Sequence, residues 1–109
     1  MKDTIVNKTS GMRATSLDEL SANYEYLGVL RRRQTDKRII NSGRGAWSIV
    51  AFKFQDMDGN GWGPEKMMVA TFKNQSGVYT RYSYVIVHSK IEAQDVVDLV
   101  SEWFCLGAV

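Results

Sequence analysis

The stretch Ala46-Trp47-Ser48-Ile49-Val50-Ala51-Phe52-Lys53-Phe54 sets Ser48, Val50, Phe52 and Phe54 on one side of an extended chain, and Trp47, Ile49, Ala51 and Lys53 on the other. It is rich in β-branched and aromatic residues and free of glycine and proline, so the period of two reads as a strand. Met67 to Lys73 and Val78 to Val87 have the same character. Between them Asn74-Gln75-Ser76-Gly77 has the length of a hairpin connection and ends in glycine, which predicts antiparallel pairing.

Towards the C-terminus the period changes. Ser89-Lys90-Ile91-Glu92 has the Ser-x-x-Glu form in which a serine oxygen satisfies an orphan helix N–H and the glutamate reaches back to the cap. Ala93, Val96, Val97, Val100, Trp103 and Phe104 then share one helical face, opposite Gln94, Asp95, Asp98, Ser101 and Glu102, which predicts an amphipathic C-terminal helix. Towards the N-terminus, Ser16-Leu17-Asp18-Glu19 repeats the capping signature. Leu17, Leu20, Tyr24 and Leu27 follow at helical spacing, and Gly28 suits a helix end, so a short N-terminal helix is expected. Residues 1–15 show no period and read as a flexible or loosely docked arm. Between Val29-Leu30 and Ile39-Ile40 the arginine-rich segment fits strand or loop equally, and Asn41-Ser42-Gly43-Arg44-Gly45 reads as a turn or mobile loop.

The expected architecture is a single α+β domain over residues 16–109. About four antiparallel strands are flanked by a short N-terminal helix and the amphipathic C-terminal helix. A curved antiparallel sheet closed by such a helix is similar in plan to small single-strand-binding families, the whirly-type transcriptional coactivators among them. The likeness is one of architecture and transfers no site residue.

A chain of 109 residues with 44% apolar content builds one core without a metal or disulfide staple. Cys105 is the sole cysteine, which excludes an internal disulfide and argues against a thiolate zinc site. No apolar run approaches the roughly 20 residues of a membrane span. Met1-Lys2-Asp3-Thr4 lacks the apolar stretch of a secretion signal, so a cytoplasmic protein without membrane contact is expected.

Few residues are arranged for catalysis. Asp56-Met57-Asp58-Gly59-Asn60-Gly61 matches the first half of a calcium loop, but Met67 stands where the bidentate glutamate belongs and Pro64 interrupts. The alternative is a polar hairpin loop braced by its own Asp and Asn side chains. His88 and Cys105 form a nucleophile pair only if the closing helix folds back. Phosphate-binding, nucleophile-elbow and dinucleotide signatures do not occur, so neither an enzyme nor a cofactor is expected.

The remaining signal is basic and aromatic. Residues 29–54 carry seven basic groups and one acidic, whereas residues 89–109 carry one basic and four acidic. Arg31, Arg32, Arg33, Lys37, Arg38 and Arg44 precede the strand bearing Trp47 and Lys53, and a later strand offers Tyr79 and Arg81. Cations neutralise phosphates and exposed rings stack bases, so the expected partner is single-stranded nucleic acid. The alternative is a regulatory or inhibitory protein interface anchored by Trp62, in the loop Gly59-Asn60-Gly61-Trp62-Gly63-Pro64, together with the arginines. A third route is a homo-oligomer, formed through an uncovered sheet face or the last turn at Trp103, Phe104 and Leu106.

Overall fold

The computed structural model describes residues 12–41 and 45–105. The described residues form seven strands: β1 (Arg13–Ala14), β2 (Tyr24–Tyr26), β3 (Val29–Asn41), β4 (Trp47–Asp58), β5 (Gly61–Trp62), β6 (Lys66–Gln75) and β7 (Val78–Val87). One helix follows, α1 (Lys90–Phe104). All neighbours pair antiparallel in the order β1-β7-β6-β4-β3-β2, with β5 on the end of β4. Register shifts between Gln34 and Asp36, between Ile39 and Asn41, and between Thr71 and Phe72 mark irregularities that bend their strands, and the sheet curls into a half-barrel.

The period of two sorts the residues. On the inner face Val50, Phe52, Phe54, Met68, Ala70 and Phe72 are fully buried, with Phe52 and Phe72 edge to face at 6.2 Å between centroids. Their cover is the segment 12–22, whose Met12, Leu20 and Ala22 complete the core while Ala14, Leu17, Tyr79 and Ile86 pack against it. Side chains from β3 tie this segment down. Gln34 Oε1 accepts from the Ala22 amide at 2.9 Å, and Asn23 Oδ1 accepts from the Gln34 amide at 2.7 Å. Lys37 Nζ donates to the carbonyls of Leu17, Asp18 and Leu20 at 2.6, 2.9 and 2.8 Å. Burial lowers the Lys37 pKa, a shift partly offset by the charge of Asp18.

Two expectations are corrected. The sheet holds seven strands rather than about four, because the arginine-rich segment is the longest strand and short strands line both edges. The N-terminal helix does not exist. Ser16-Leu17-Asp18-Glu19 makes a single turn, in which the Glu19 amide donates to Ser16 Oγ at 3.3 Å and Glu19 Oε1 accepts from Thr15 Oγ1 at 2.7 Å, and the chain then runs without regular structure to β2. Leu17 and Leu20 are spaced as on a helix because both point down onto the sheet. Tyr24 and Leu27 belong instead to a hairpin, whose two-residue turn holds Leu27 at φ 52° and Gly28 at φ 78°. Positive φ at both positions matches the right-handed twist of the strands, and it is this turn that uses Gly28.

The C-terminal helix is present as the sequence indicated. Ser89 is the N-cap, its Oγ accepting from the Glu92 amide at 3.2 Å, and Glu92 Oε1 accepts from the His88 amide at 2.8 Å. That hydrogen bond from the His88 backbone is the main reason the Glu92 pKa lies below its ordinary value. Cys105 closes the helix in the left-handed conformation at φ 57°.

Two substitutions test this description by chemical denaturation. Leu20→Ala is expected to destabilise the fold by about 2–5 kcal/mol, because it opens a cavity between the covering segment and the sheet. Leu27→Asn is expected to stabilise it by roughly 0.5–1 kcal/mol, because Leu27 is exposed at a positive φ that asparagine tolerates far better.

Candidate functional site

Curling removes the inner face from solvent and leaves the outer face open, and the strand register shows what the outer face presents. Trp47, Ile49, Ala51, Lys53 and Gln55 alternate along β4, flanked by Arg33, Asp36, Arg38 and Asn41 on β3 and by Met67, Val69, Thr71 and Lys73 on β6. A cationic-aromatic cluster stands at each end of this strip.

At the first end, Trp47 is opposite Lys73, whose Nζ lies 5.5 Å from the ring centroid. Tyr82 meets the same indole edge to face at 4.9 Å and is 71% exposed. At the other end β5 sets Trp62 opposite Met57, and the Arg33 guanidinium lies 4.4 Å above the Trp62 ring. Arg33 Nε donates to Gln55 Oε1 at 2.9 Å, and Gln55 Nε2 donates to the Gly63 carbonyl at 2.9 Å, so the stack is braced from below. Between the clusters lie Arg38 and Lys53, the latter 3.6 Å from Glu65. Arg31 alternates with Arg32 and so shares the outward side. Trp47 and Met57 are ten positions apart on β4, which separates the clusters by roughly 30 Å at strand rise.

The other residues singled out from the sequence have inner-face duties. Arg32 makes a two-point contact with Asp56, at 2.7 Å from Nε and 3.3 Å from Nη2, and its guanidinium sits 4.2 Å over Phe54. Lys66 reaches the same carboxylate at 3.3 Å. Burial pushes the Asp56 pKa up, but the hydrogen bonds and charges of Arg32 and Lys66 outweigh it and hold the carboxyl below its ordinary value. Lys37 holds the covering segment, and Tyr79 packs against the core. Arg81 lies half-buried, its guanidinium 3.9 Å over the Tyr84 ring and its Nη1 3.6 Å from Met68 Sδ. Arg44 lies outside the described residues. The sequence set therefore divides: Arg31, Arg33, Arg38, Trp47 and Lys53 share the outer face with Trp62, whereas Arg32, Lys37, Tyr79 and Arg81 belong to the inner one. Lys73, Tyr82 and Gln55 join the outer set unforeseen. Their signal was the alternation along each strand, but contact with Trp47 or Arg33 depends on the pairing of strands distant in sequence.

The aspartate loop is a tight hairpin. Asp58 Oδ1 accepts from the Asn60 amide at 2.8 Å, the Asp56 carbonyl accepts from the Gly63 amide at 2.9 Å, and the Asp56 carboxylate is engaged by Arg32 and Lys66. His88 and Cys105 stand beyond opposite ends of the 15-residue α1, which alone is about 22 Å long at helical rise, so they form no pair. Among the described residues no group of three or more His, Cys, Asp or Glu is placed to hold a metal, and no helix is long and apolar enough to cross a membrane.

No protein family, curated protein or solved structure matches the chain.

The Asp56 cluster has a measurable pH signature. A carboxylate whose folded-state pKa is depressed contributes stability that is fully present above its unfolded pKa of about 4 and is lost as pH falls through the folded value. Asp56→Asn should therefore lower stability at pH 7 and flatten its decline between neutral and acid pH, as read from urea denaturation midpoints at several pH values. An unchanged acid decline in the variant would remove Asp56 as a contributor.

Proposed function

We propose that the protein is a non-enzymatic module that binds single-stranded nucleic acid along the outer face of its sheet. One observation carries the reading: two tryptophans stand on the same face at opposite ends of the strip, each with a cation beside or over its ring, and with Arg38 and Lys53 between them. A cation resting on an indole is held weakly, by about 0.5–1 kcal/mol at an exposed site. A phosphate draws it away through a stronger charge-assisted hydrogen bond. The vacated ring then offers its face to a base, and the cation neutralises the backbone beside it.

The strip suits sequence-tolerant contact. Rings stack any base, while the lysine and arginine side chains follow the phosphates and release counterions. Its length of roughly 30 Å accommodates on the order of five nucleotides, within the range of about 4–16 found for sheet-based single-strand binders. A flat two-stranded helix meets this strip less well, because paired bases keep their faces stacked on one another. Trp62 supports this reading better than that of a free-standing anchor for a protein partner, since its ring is half-buried beneath Arg33.

Fluorescence anisotropy with a labelled oligothymidylate at several salt concentrations tests the proposal. Trp47→Ala and Trp62→Ala are each expected to weaken binding by roughly 5- to 150-fold, the equivalent of about 1–3 kcal/mol per stacked base. Lys53→Gln should lower the slope of log K against log salt by about 0.7, one phosphate contact on a single strand. Salt-independent binding, or binding indifferent to both tryptophans, would refute the outer face as the site.

A further inference from the structure

Where α1 leaves the sheet, the molecule holds a cleft of about 780 Å3 that binding along the outer face does not use. Strand register lays its floor. Lys53, Met67 and Val87 are direct neighbours across β4, β6 and β7, so one row of outer-face side chains runs from the basic strip towards α1. Pro64 and Glu65 in the link before β6, and Ile91 and Ala93 in the first turns of α1, supply further lining. Val87 is 9% exposed, whereas Met67 and Ile91 are 40% and 76% exposed, so much of this apolar surface still meets water. Both flanks are fixed in advance. Beside Pro64, the Gly63 carbonyl accepts from Gln55 Nε2 and its amide donates to the Asp56 carbonyl, each at 2.9 Å. On the helix side, Glu92 bonds to the His88 amide and to Ser89 Oγ, which sets the direction in which α1 departs. A site held in this way loses little entropy on being filled.

The lining selects the occupant. Small-molecule sites have volumes of roughly 300–1,000 Å3 and are mostly apolar with a few polar groups, a description that fits this cleft. No Trp, Tyr or Phe lines it, so it offers a nucleic-acid base no ring on which to stack. Proline, methionine, valine, isoleucine and alanine, with the methylene stems of the lysines, make instead an aliphatic surface that suits an aliphatic chain. The charges at this surface are unequal, with Lys53, Lys66, Lys90 and His88 set against Glu65. Glu65 lies 3.6 Å from Lys53, and Lys66 lies 3.3 Å from Asp56. His88 is 3.4 Å from Glu92. Lys90 engages no carboxylate among the described residues, so its ammonium is the cation left for an anionic group at an apolar site.

We infer that the cleft binds a free medium-chain acyl carboxylate, its chain against Met67, Val87 and Ile91 and its carboxylate at Lys90. The aliphatic lining supplies most of the affinity, because each methylene removed from water adds about fourfold. Lys90 decides the sign of the head group. This site goes beyond nucleic-acid binding by the outer face and does not depend on it.

Titration of the 15N-labelled full chain with hexanoate, octanoate, decanoate and octanol, followed by amide shifts in two-dimensional NMR, tests the site without any oligonucleotide. Decanoate should bind one-to-one with a Kd below about 1 mM, moving the amides of Met67, Val87, Lys90 and Ile91 most. Affinity should climb from hexanoate to decanoate, and octanoate should bind more tightly than octanol. Ile91→Asp is expected to weaken decanoate by about tenfold or more, because it sets a charge against the chain. That variant keeps its fold, since Ile91 is exposed and an acidic residue suits the first turn of a helix. Lys90→Gln should weaken octanoate by roughly 1.5- to 5-fold, the range of an exposed ion pair, and leave octanol unchanged. Val97→Ser, on the same helix but outside the cleft, should change neither. Absence of saturable decanoate binding up to about 5 mM would overturn the site. Shifts centred on Val96 to Val100, or a loss in Val97→Ser equal to that in Ile91→Asp, would place the chain on the helix surface instead and overturn it too. Octanol binding as tightly as octanoate would overturn the role of Lys90 and the choice of an anion.

Discussion

Phe52, Phe54, Met68 and Phe72 form one face of a curled sheet that must be kept from water, and a stretch of mostly irregular backbone keeps it so. Such a cover brings a difficulty, because its peptide groups lie near an apolar floor without the internal hydrogen bonds of a helix. The neighbouring strand resolves it. Gln34 accepts from the Ala22 amide, and the Lys37 ammonium gathers the carbonyls of Leu17, Asp18 and Leu20. Three carbonyls converging on one ammonium compensate for the water that Lys37 loses, which is why a lysine on the inner side of a strand is stable there. The rest of the architecture follows from this clasp. With the inner face closed by a thin strap, the helix is not needed as a cover and projects from the edge.

The two faces consequently divide the cations between them. Inside, Arg32, Lys37 and Lys66 are matched to fixed acceptors, and Arg81 is stacked on a tyrosine, so their charge serves the fold. Outside, Arg33 and Lys73 rest on tryptophans and retain charge that a polyanion can use. Cation–π contacts suit a reversible surface. They keep a large ring ordered and partly shielded while no ligand is present, and they give way to a partner that satisfies the ring and the cation together.

Much of the fold was legible in residues adjacent along the chain. Alternation from Trp47 to Phe54 specified a strand and its two faces, the Asn74–Gly77 connection specified a hairpin, and the Ser89–Glu92 box with the stripe behind it specified a helix. The same capping signature at Ser16–Glu19 was misleading, because a serine oxygen satisfies the amide three residues on in a lone turn as readily as in a helix. Leu17 and Leu20, spaced three apart, report only that both point to one side. Leu27 at a positive φ is a poor choice for a hairpin turn, so the sequence held no Asn-Gly signal to reveal it.

The sequence by itself determined the local elements whose stabilising contacts lie within a few residues: alternating strands, the short turn between the last two, and the capped amphipathic helix. It also determined the segregation of charge into a basic middle and an acidic end. Tertiary structure alone decided which arginines and lysines serve the core and which meet solvent, because parity on a strand acquires a direction only when the sheet curls and one face is covered. It alone placed Tyr82 against Trp47, and Arg33 over Trp62. Those contacts join residues far apart in the chain, and only the register between strands brings them within reach.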